Sequence, residues 1–224
     1  MGRPAEFDRD QALEAAMRLF WGQGYAATSL QDLLGAMDIG RSSFYAAFGD
    51  KRSLFVEAVE LFAARTRRML GVSENPEDSL ASTRQFFQET LLDAPRRRVV
   101  RGCLMVNTVL EMADVDSELS ALAAHELERI EKIFSDCFEQ AQRTGDYPAE
   151  RSASELAAHI MVLNQGLRVA SRRGASRSEL KKSVETGLSL LGLNREGKHP
   201  SPHPPIPPSP HPPIRPPRPT GDEH

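Results

Sequence analysis

Five residues within one short stretch, Arg41, Ser42, Ser43, Tyr45 and Ala46, have the types and spacing to read a nucleic acid, and Lys51 follows closely. Small hydroxyls and one guanidinium on a short helix suit a DNA groove, where bulk clashes and hydrogen-bond donors are useful. Arg41 can fork onto a guanine edge or sit on a phosphate. Ala46, beside Ala47, leaves room for contact with a thymine methyl. Tyr45 adds a phenol to this face, and Lys51 an ammonium close behind it. The bland alternative is that Tyr45 belongs to the core and Lys51 is merely solvated. The chemistry that is missing is also informative. There is no metal-binding pattern of His, Cys and carboxylates, no Gly-rich phosphate loop and no Gly-x-Ser-x-Gly. The reading is therefore a binding protein without cofactor or metal, and not an enzyme.

The elements around these residues must hold them steady. Leu30, Leu33, Leu34 and Met37 recur at the spacing of one buried helical face. Thr28 and Ser29 offer caps, with Gln31 and Asp32 three residues on. Asp38-Ile39-Gly40 breaks this helix, with Gly40 expected to supply the permissive backbone and Ile39 to plug the angle. A second helix, about 41–48, buries Phe44 and Phe48 and turns Arg41, Ser42, Ser43, Tyr45 and Ala46 outward. Before them, Asp8 and Gln11 form a capping box. Leu13, Ala16, Met17, Phe20 and Trp21 then make an apolar stripe, closed by Gly22 and Gly24. Together these are the three helices of a helix-turn-helix unit, and DNA is the implied partner.

The ordered string Phe20, Gly24-Tyr25, Thr28, Leu30, Ile39-Gly40, Phe44-Tyr45, Phe48, Lys51 and Leu54-Phe55 resembles the TetR family of bacterial transcriptional regulators over roughly residues 8–55. The resemblance implies that Tyr45, Lys51 and the hydroxyl of Thr28 contact DNA phosphates. It also implies an all-α chain: a helix-turn-helix domain over residues 1–55, then a helical effector-binding and dimerisation domain over 56–193.

Bulk composition is permissive. The net charge is −3, and residues 1–55 carry six Lys/Arg against seven Asp/Glu. DNA affinity follows the phosphates neutralised and not the total charge. Arg3, Arg41, Lys51 and Arg52 are expected to cluster away from Asp10, Glu14 and Asp32. No apolar run of eighteen residues exists and no hydrophobic signal segment opens the chain, so a cytoplasmic protein without a membrane partner is expected. Two cysteines are too few for a disulfide framework.

The second domain reads as successive helices: about 51–70, 76–93, 116–143, 152–171 and 176–192, with a basic stretch at Arg96, Arg97, Arg98 and Arg101. Cys103 sits in Arg101-Gly-Cys-Leu-Met-Val-Asn107. The run resembles a Gly-Cys-Leu subgroup of the family that includes the redox- and electrophile-sensing repressor NemR. Arg98, Arg101 and a helix N-terminus would favour its thiolate; equally, it would fill the core as a small hydrophobe. Cys137 reads as core. Met105, Asn107, Val109, Met112, His125, Met161, Asn164 and Arg168 are the candidate effector contacts, with Asn107, Asn164 and Arg168 as polar groups on otherwise apolar helices. Leu156, Ile160, Leu163 and Leu167, with Leu180, Val184, Leu188 and Leu191, form a stripe expected to pair with a second copy as a four-helix bundle.

Residues 194–224 differ in kind, holding twelve of the sixteen prolines with His199, His203 and His211 among them. A disordered or polyproline tail is expected, inert or at most a PxxP ligand or weak metal site. The functional expectation is a homodimeric repressor released from a palindromic operator by a small-molecule effector. The alternative is a thiol sensor acting through Cys103.

Overall fold

The computed structural model describes residues 7–71 and 79–193, and among these every regular element is helical. The expectations for Arg3, for a helix start at 76–78 and for the tail 194–224 lie outside the described residues.

Three short helices open the fold: α1 (Arg9–Gln23), α2 (Leu30–Met37) and α3 (Arg41–Phe48). Side-chain caps start the first two. The Asp8 carboxylate accepts the backbone N–H groups of Asp10 and Gln11, both at 3.0 Å. Ser29 and Asp32 cap α2 reciprocally, so Ser29, and not Thr28, is the capping residue. Phe20, Leu33, Phe44, Leu54 and Phe55 lie fully buried between these helices and the next, with Phe20 edge-on to Phe55 at 4.9 Å. Each such ring contributes on the order of 2 kcal/mol by burial alone.

The turn between α2 and α3 corrects the glycine expectation. Asp38 takes the left-handed conformation (φ 53°), while Gly40 is extended (φ −75°) and caps α3 without using its freedom. Asp tolerates that region better than most side chains. Ile39 is buried in the angle, as its position implies.

α4 (Lys51–Gly71) runs unbroken through residue 55 and links the two halves. After it come α5 (Ala81–Phe87), a π-helical turn (Gln88–Leu92), α6 (Arg96–Val99), α7 (Leu104–Met112), α8 (Ser117–Thr144), α9 (Ala153–Arg172) and α10 (Arg177–Leu190). The helix expected to end at 93 is thus interrupted by the π turn, and the basic stretch at 96–98 is itself a short helix. Asp116, Ser152 and Ser176 cap the three long helices where the sequence places them. α8 packs against α4, α7 and α9. On it the buried Glu126 pairs with Arg67 of α4 and with Arg129.

The leucine stripe of the last two helices largely points into its own chain. Leu156, Ile160, Leu167, Leu180, Val184 and Leu188 are all buried without a second copy. Gly187 lets α10 approach Leu163 so closely that an added Cβ would sit 2.6 Å from a leucine methyl. The apolar residues these helices leave outward are Val162, Val169 and Leu190.

Candidate nucleic-acid interface and effector cavity

α3 presents the expected face. Phe44 and Phe48 anchor it in the core, which leaves Arg41, Ser42 and Ala46 exposed, Ser43 half-buried and Tyr45 49% exposed. Arg9 fixes the far end of the helix. Its guanidinium bonds Glu57 of α4 at 2.8 Å and the Ala47 carbonyl at 3.2 Å, and stacks over Phe48. Lys51 lies over the Tyr25 ring with its Nζ 4.4 Å from the centroid, a half-buried cation at the start of α4.

Two expected DNA-facing groups are engaged elsewhere. Thr28 is 0% exposed, and its hydroxyl donates to the Gly24 carbonyl at 2.6 Å. It braces the α1–α2 turn, and its hydroxyl is not presented at the surface. Arg52 bonds Asp116 at 2.9 Å and Glu118 at 2.6 Å, so it ties α4 to the start of α8 and does not join a basic patch with Arg41.

Arg52 is one of several polar links between the helix-turn-helix and the second domain among the described residues. The Glu111 carboxylate on α7 accepts the backbone N–H of Tyr25 at 3.0 Å and of Ala26 at 2.7 Å. Gly24 makes this possible: with φ +88°, it is a position where any Cβ would lie 2.8 Å from a Glu111 oxygen. Trp21 of α1 donates its indole N–H to the Gly102 carbonyl at 3.2 Å. No local pattern announces Glu111 or Gly102 as partners of α1. Both contacts span eighty residues or more.

Beside this junction lies a cavity of about 830 Å³, within the usual size of small-molecule sites. Of the expected effector contacts, Cys103, Met105, Met161, Asn164 and Arg168 line it. The others do not. Asn107 donates to the Arg101 carbonyl at 3.0 Å and accepts from Arg172 at 2.8 Å, holding the loop before α7. Met112 is core, His125 is exposed, and Val109 is half-buried away from the cavity. The sequence reading missed Trp21, Phe62, Phe86 and Thr90, which complete the walls. Trp21 and Phe62 meet edge to face at 4.9 Å. Being aromatic and half-buried, they resemble ordinary core in a one-dimensional pattern.

Electrostatics in the cavity run against a resting thiolate. Burial pushes the Cys103 thiol up, opposed by Arg168 and by the N–H groups of Val106 and Met105. The cation beside the sulfur is therefore Arg168, and not the expected Arg98 and Arg101. Cys137 is pushed up by burial as well, with its Sγ 3.5 Å from the Ser82 hydroxyl. On the cavity wall, Arg65 and Arg18 hold the Glu14 carboxyl down to about 2.

Comparison with known proteins agrees with this arrangement. Residues 12–58 match the model of bacterial regulatory proteins of the tetR family, and residues 80–186 match that of the tetracyclin repressor-like C-terminal domain. The chain is 30% identical over 193 residues to the HTH-type transcriptional repressor ComR of Escherichia coli K12, covering 84% of this chain and 91% of ComR. It is equally 30% identical over 195 residues to YezE of Bacillus subtilis 168, an HTH-type regulator, covering 85% of this chain and all of YezE. A cysteine-substituted CifR bound to a 26-base-pair operator duplex superposes with a TM-score of 0.71 at 32% identity, over 85% of this chain and 100% of CifR. Reduced E. coli NemR, at 17% identity and TM-score 0.70, shares the fold. An exposed α3 set by a buried aromatic pair, a helical second domain and these relatives lead to one conclusion: the chain is a DNA-binding transcriptional regulator of the TetR family.

Proposed function

We propose that this regulator is a homodimeric repressor that leaves a palindromic operator when a small molecule fills the cavity. The observation that carries the reading is the composition of the cavity wall, in which Glu14, Met17, Arg18 and Trp21 come from α1 of the DNA-binding unit itself. A ligand there touches both halves at once. Wedged between α1, α4 and α9, it moves Trp21 against Gly102, and through α7 it moves Glu111 and the α1–α2 turn. Release then follows by linkage, because a ligand that binds the DNA-incompetent arrangement better must weaken operator binding by the same factor. Arg41, Ser42, Ser43, Tyr45, Ala46 and Lys51 form the DNA face. Thr28 acts from inside by fixing the turn.

The outward Val162, Val169 and Leu190 of α9 and α10 are the face on which a second copy docks. Dimerisation also answers a problem of selectivity, since one eight-residue recognition helix spans too few base pairs to choose a site. In this reading the domains divide near residue 55, within α4, and the protein works in the cytosol. Among the described residues no helix is long and apolar enough to cross a membrane. A NemR-like thiol mechanism is the second reading, supported by Cys103 lining the cavity next to Arg168.

The test is fluorescence anisotropy of the purified protein on a duplex from its own upstream region, titrated against salt and competitor DNA. Saturable binding that resists competitor, with a steep salt slope, is the expected result. Equal affinity for any competitor in a genome-wide fragment selection would refute the reading. Release by a mild oxidant that disappears in Cys103→Ser would decide for the thiol mechanism.

A further inference from the structure

Arg168 is a charge that the fold encloses without neutralising. It lies on α9, 8% exposed, and lines the cavity. Its Nε donates to the Asn164 side-chain oxygen at 3.3 Å and its Nη1 to the Thr90 carbonyl at 3.2 Å. Both acceptors are neutral. Thr90 lies in the middle of the π turn (Gln88–Leu92), and the residue five positions on is Pro95, which has no N–H for that carbonyl. No carboxylate among the described residues pairs with Arg168, and its Nη2 makes no hydrogen bond among them. A guanidinium offers five N–H groups and keeps its proton in proteins, so donors remain for a further partner. Burying a charge without a counter-ion is costly, and an ion pair formed on binding relieves that cost.

The surroundings specify the partner further. Seven arginines and two glutamates line the cavity. Glu14 is already neutralised by Arg18 and Arg65, and Glu89 accepts from Gln85. Burial and the nearby Arg98 both disfavour the charge on Arg168. Phe62, Phe86, Met105, Ile130 and Met161 supply apolar wall. A cationic ligand would meet an excess of like charge, and a neutral one would leave Arg168 unpaired.

We infer that the effector is an amphiphilic anion, an aromatic or aliphatic body carrying one oxyanion such as a carboxylate, which docks on the free N–H groups of Arg168. The inference rests on reading the cavity as the effector site.

Two probes of matched shape test it on the full chain: 1-anilinonaphthalene-8-sulfonate, and N-phenyl-1-naphthylamine, which lacks the anion. Trp21 is the single tryptophan of the sequence and lines the cavity, so quenching of its emission reports occupancy. The sulfonate is expected to quench at a concentration about tenfold lower than the neutral probe, as a charge-assisted hydrogen bond would produce. Arg168→Met is expected to remove that preference, and Arg168→Lys to keep part of it. Equal affinity of the two probes for the wild-type protein overturns the inference, and this comparison needs no variant to fold. So does sulfonate fluorescence that rises without quenching Trp21, since that is binding to an outer basic surface. If neither probe quenches Trp21, the cavity is no ligand site, and the effector reading fails with the inference. If the sulfonate binds in an Arg168-dependent way but does not displace operator DNA, the anion preference stands and the release mechanism fails.

Discussion

The face of α3 and the cavity behind α1 treat polar side chains in opposite ways. On α3, Arg41, Ser42 and Tyr45 stand in water on a buried aromatic footing, so any contact they are proposed to make with DNA would replace hydration and be screened by salt. In the cavity, Arg168, Asn164 and Thr90 are withdrawn from water and held by one another, so a ligand that meets them finds directed groups already desolvated. The first surface gains strength from the number of its contacts, the second from their placement. Between the two halves of the chain run polar links from Glu111, Trp21 and Arg52, the contacts through which the proposed coupling would pass.

If that contrast holds, substitutions should rank accordingly. The largest effect is expected beneath the DNA face. Phe44→Ala removes a fully buried ring and should cost about 3–5 kcal/mol, seen as an early-melting phase in thermal unfolding followed by circular dichroism. A smaller loss would mean that α3 is held mainly by Arg9 and the helix ends. Next comes Arg41→Ala, which leaves folding intact. If Arg41 forks onto a guanine, discrimination between operator and a base-substituted duplex should fall by about 1–3 kcal/mol. If it sits on a phosphate, affinity should drop equally on both duplexes and the salt slope should lessen by about one.

Glu14→Gln examines the boundary between the two regions by pH. The folded carboxyl titrates at about 2 against an ordinary 4.5. A depressed value stabilises the folded state above the unfolded value and is lost as pH falls through the folded one. The wild-type protein should therefore melt higher than Glu14→Gln at pH 6, with the gap closing between about 4.5 and about 2. A gap that persists unchanged at the acid end would show that the ion pairs with Arg65 and Arg18 are not its source. The smallest effect on stability is expected for Arg52→Ala. Its ion pairs are exposed to solvent and screened by it, so the unfolding transition should barely move. Operator release by ligand should nevertheless weaken, because the tie from α4 to Asp116 is gone. Release unchanged in anisotropy titrations would confine the coupling to Glu111 and Trp21.

The legible parts of this chain are those governed by neighbours in sequence. Capping at Asp8, Ser29, Asp116, Ser152 and Ser176 is a matter of three or four residues, and the helix starts follow from it. The outward set of α3 follows from Phe44 and Phe48 being four apart. Where a local rule admits two solutions, only the tertiary structure chooses between them. Gly40 and Asp38 can each turn the chain, and it is Asp38 that takes the left-handed conformation. Thr28 and Ser29 can each cap α2, and Ser29 did so, leaving Thr28 to the interior. The leucines of α9 and α10 fit either a core or a dimer face, and close approach at Gly187 gave most of them to the core.

Periodicity and capping, with side chains one helical turn apart, were enough to determine an all-helical chain with a helix-turn-helix near its start and the residues that α3 turns outward. The tertiary structure alone decided that Glu111 reaches the α1–α2 turn, that Arg52 turns away from the DNA face, and that Trp21 closes a cavity with Arg168 inside it. Those contacts join residues sixty or more positions apart. Their energies depend on distances set by the packing of whole helices, which no short run of sequence contains.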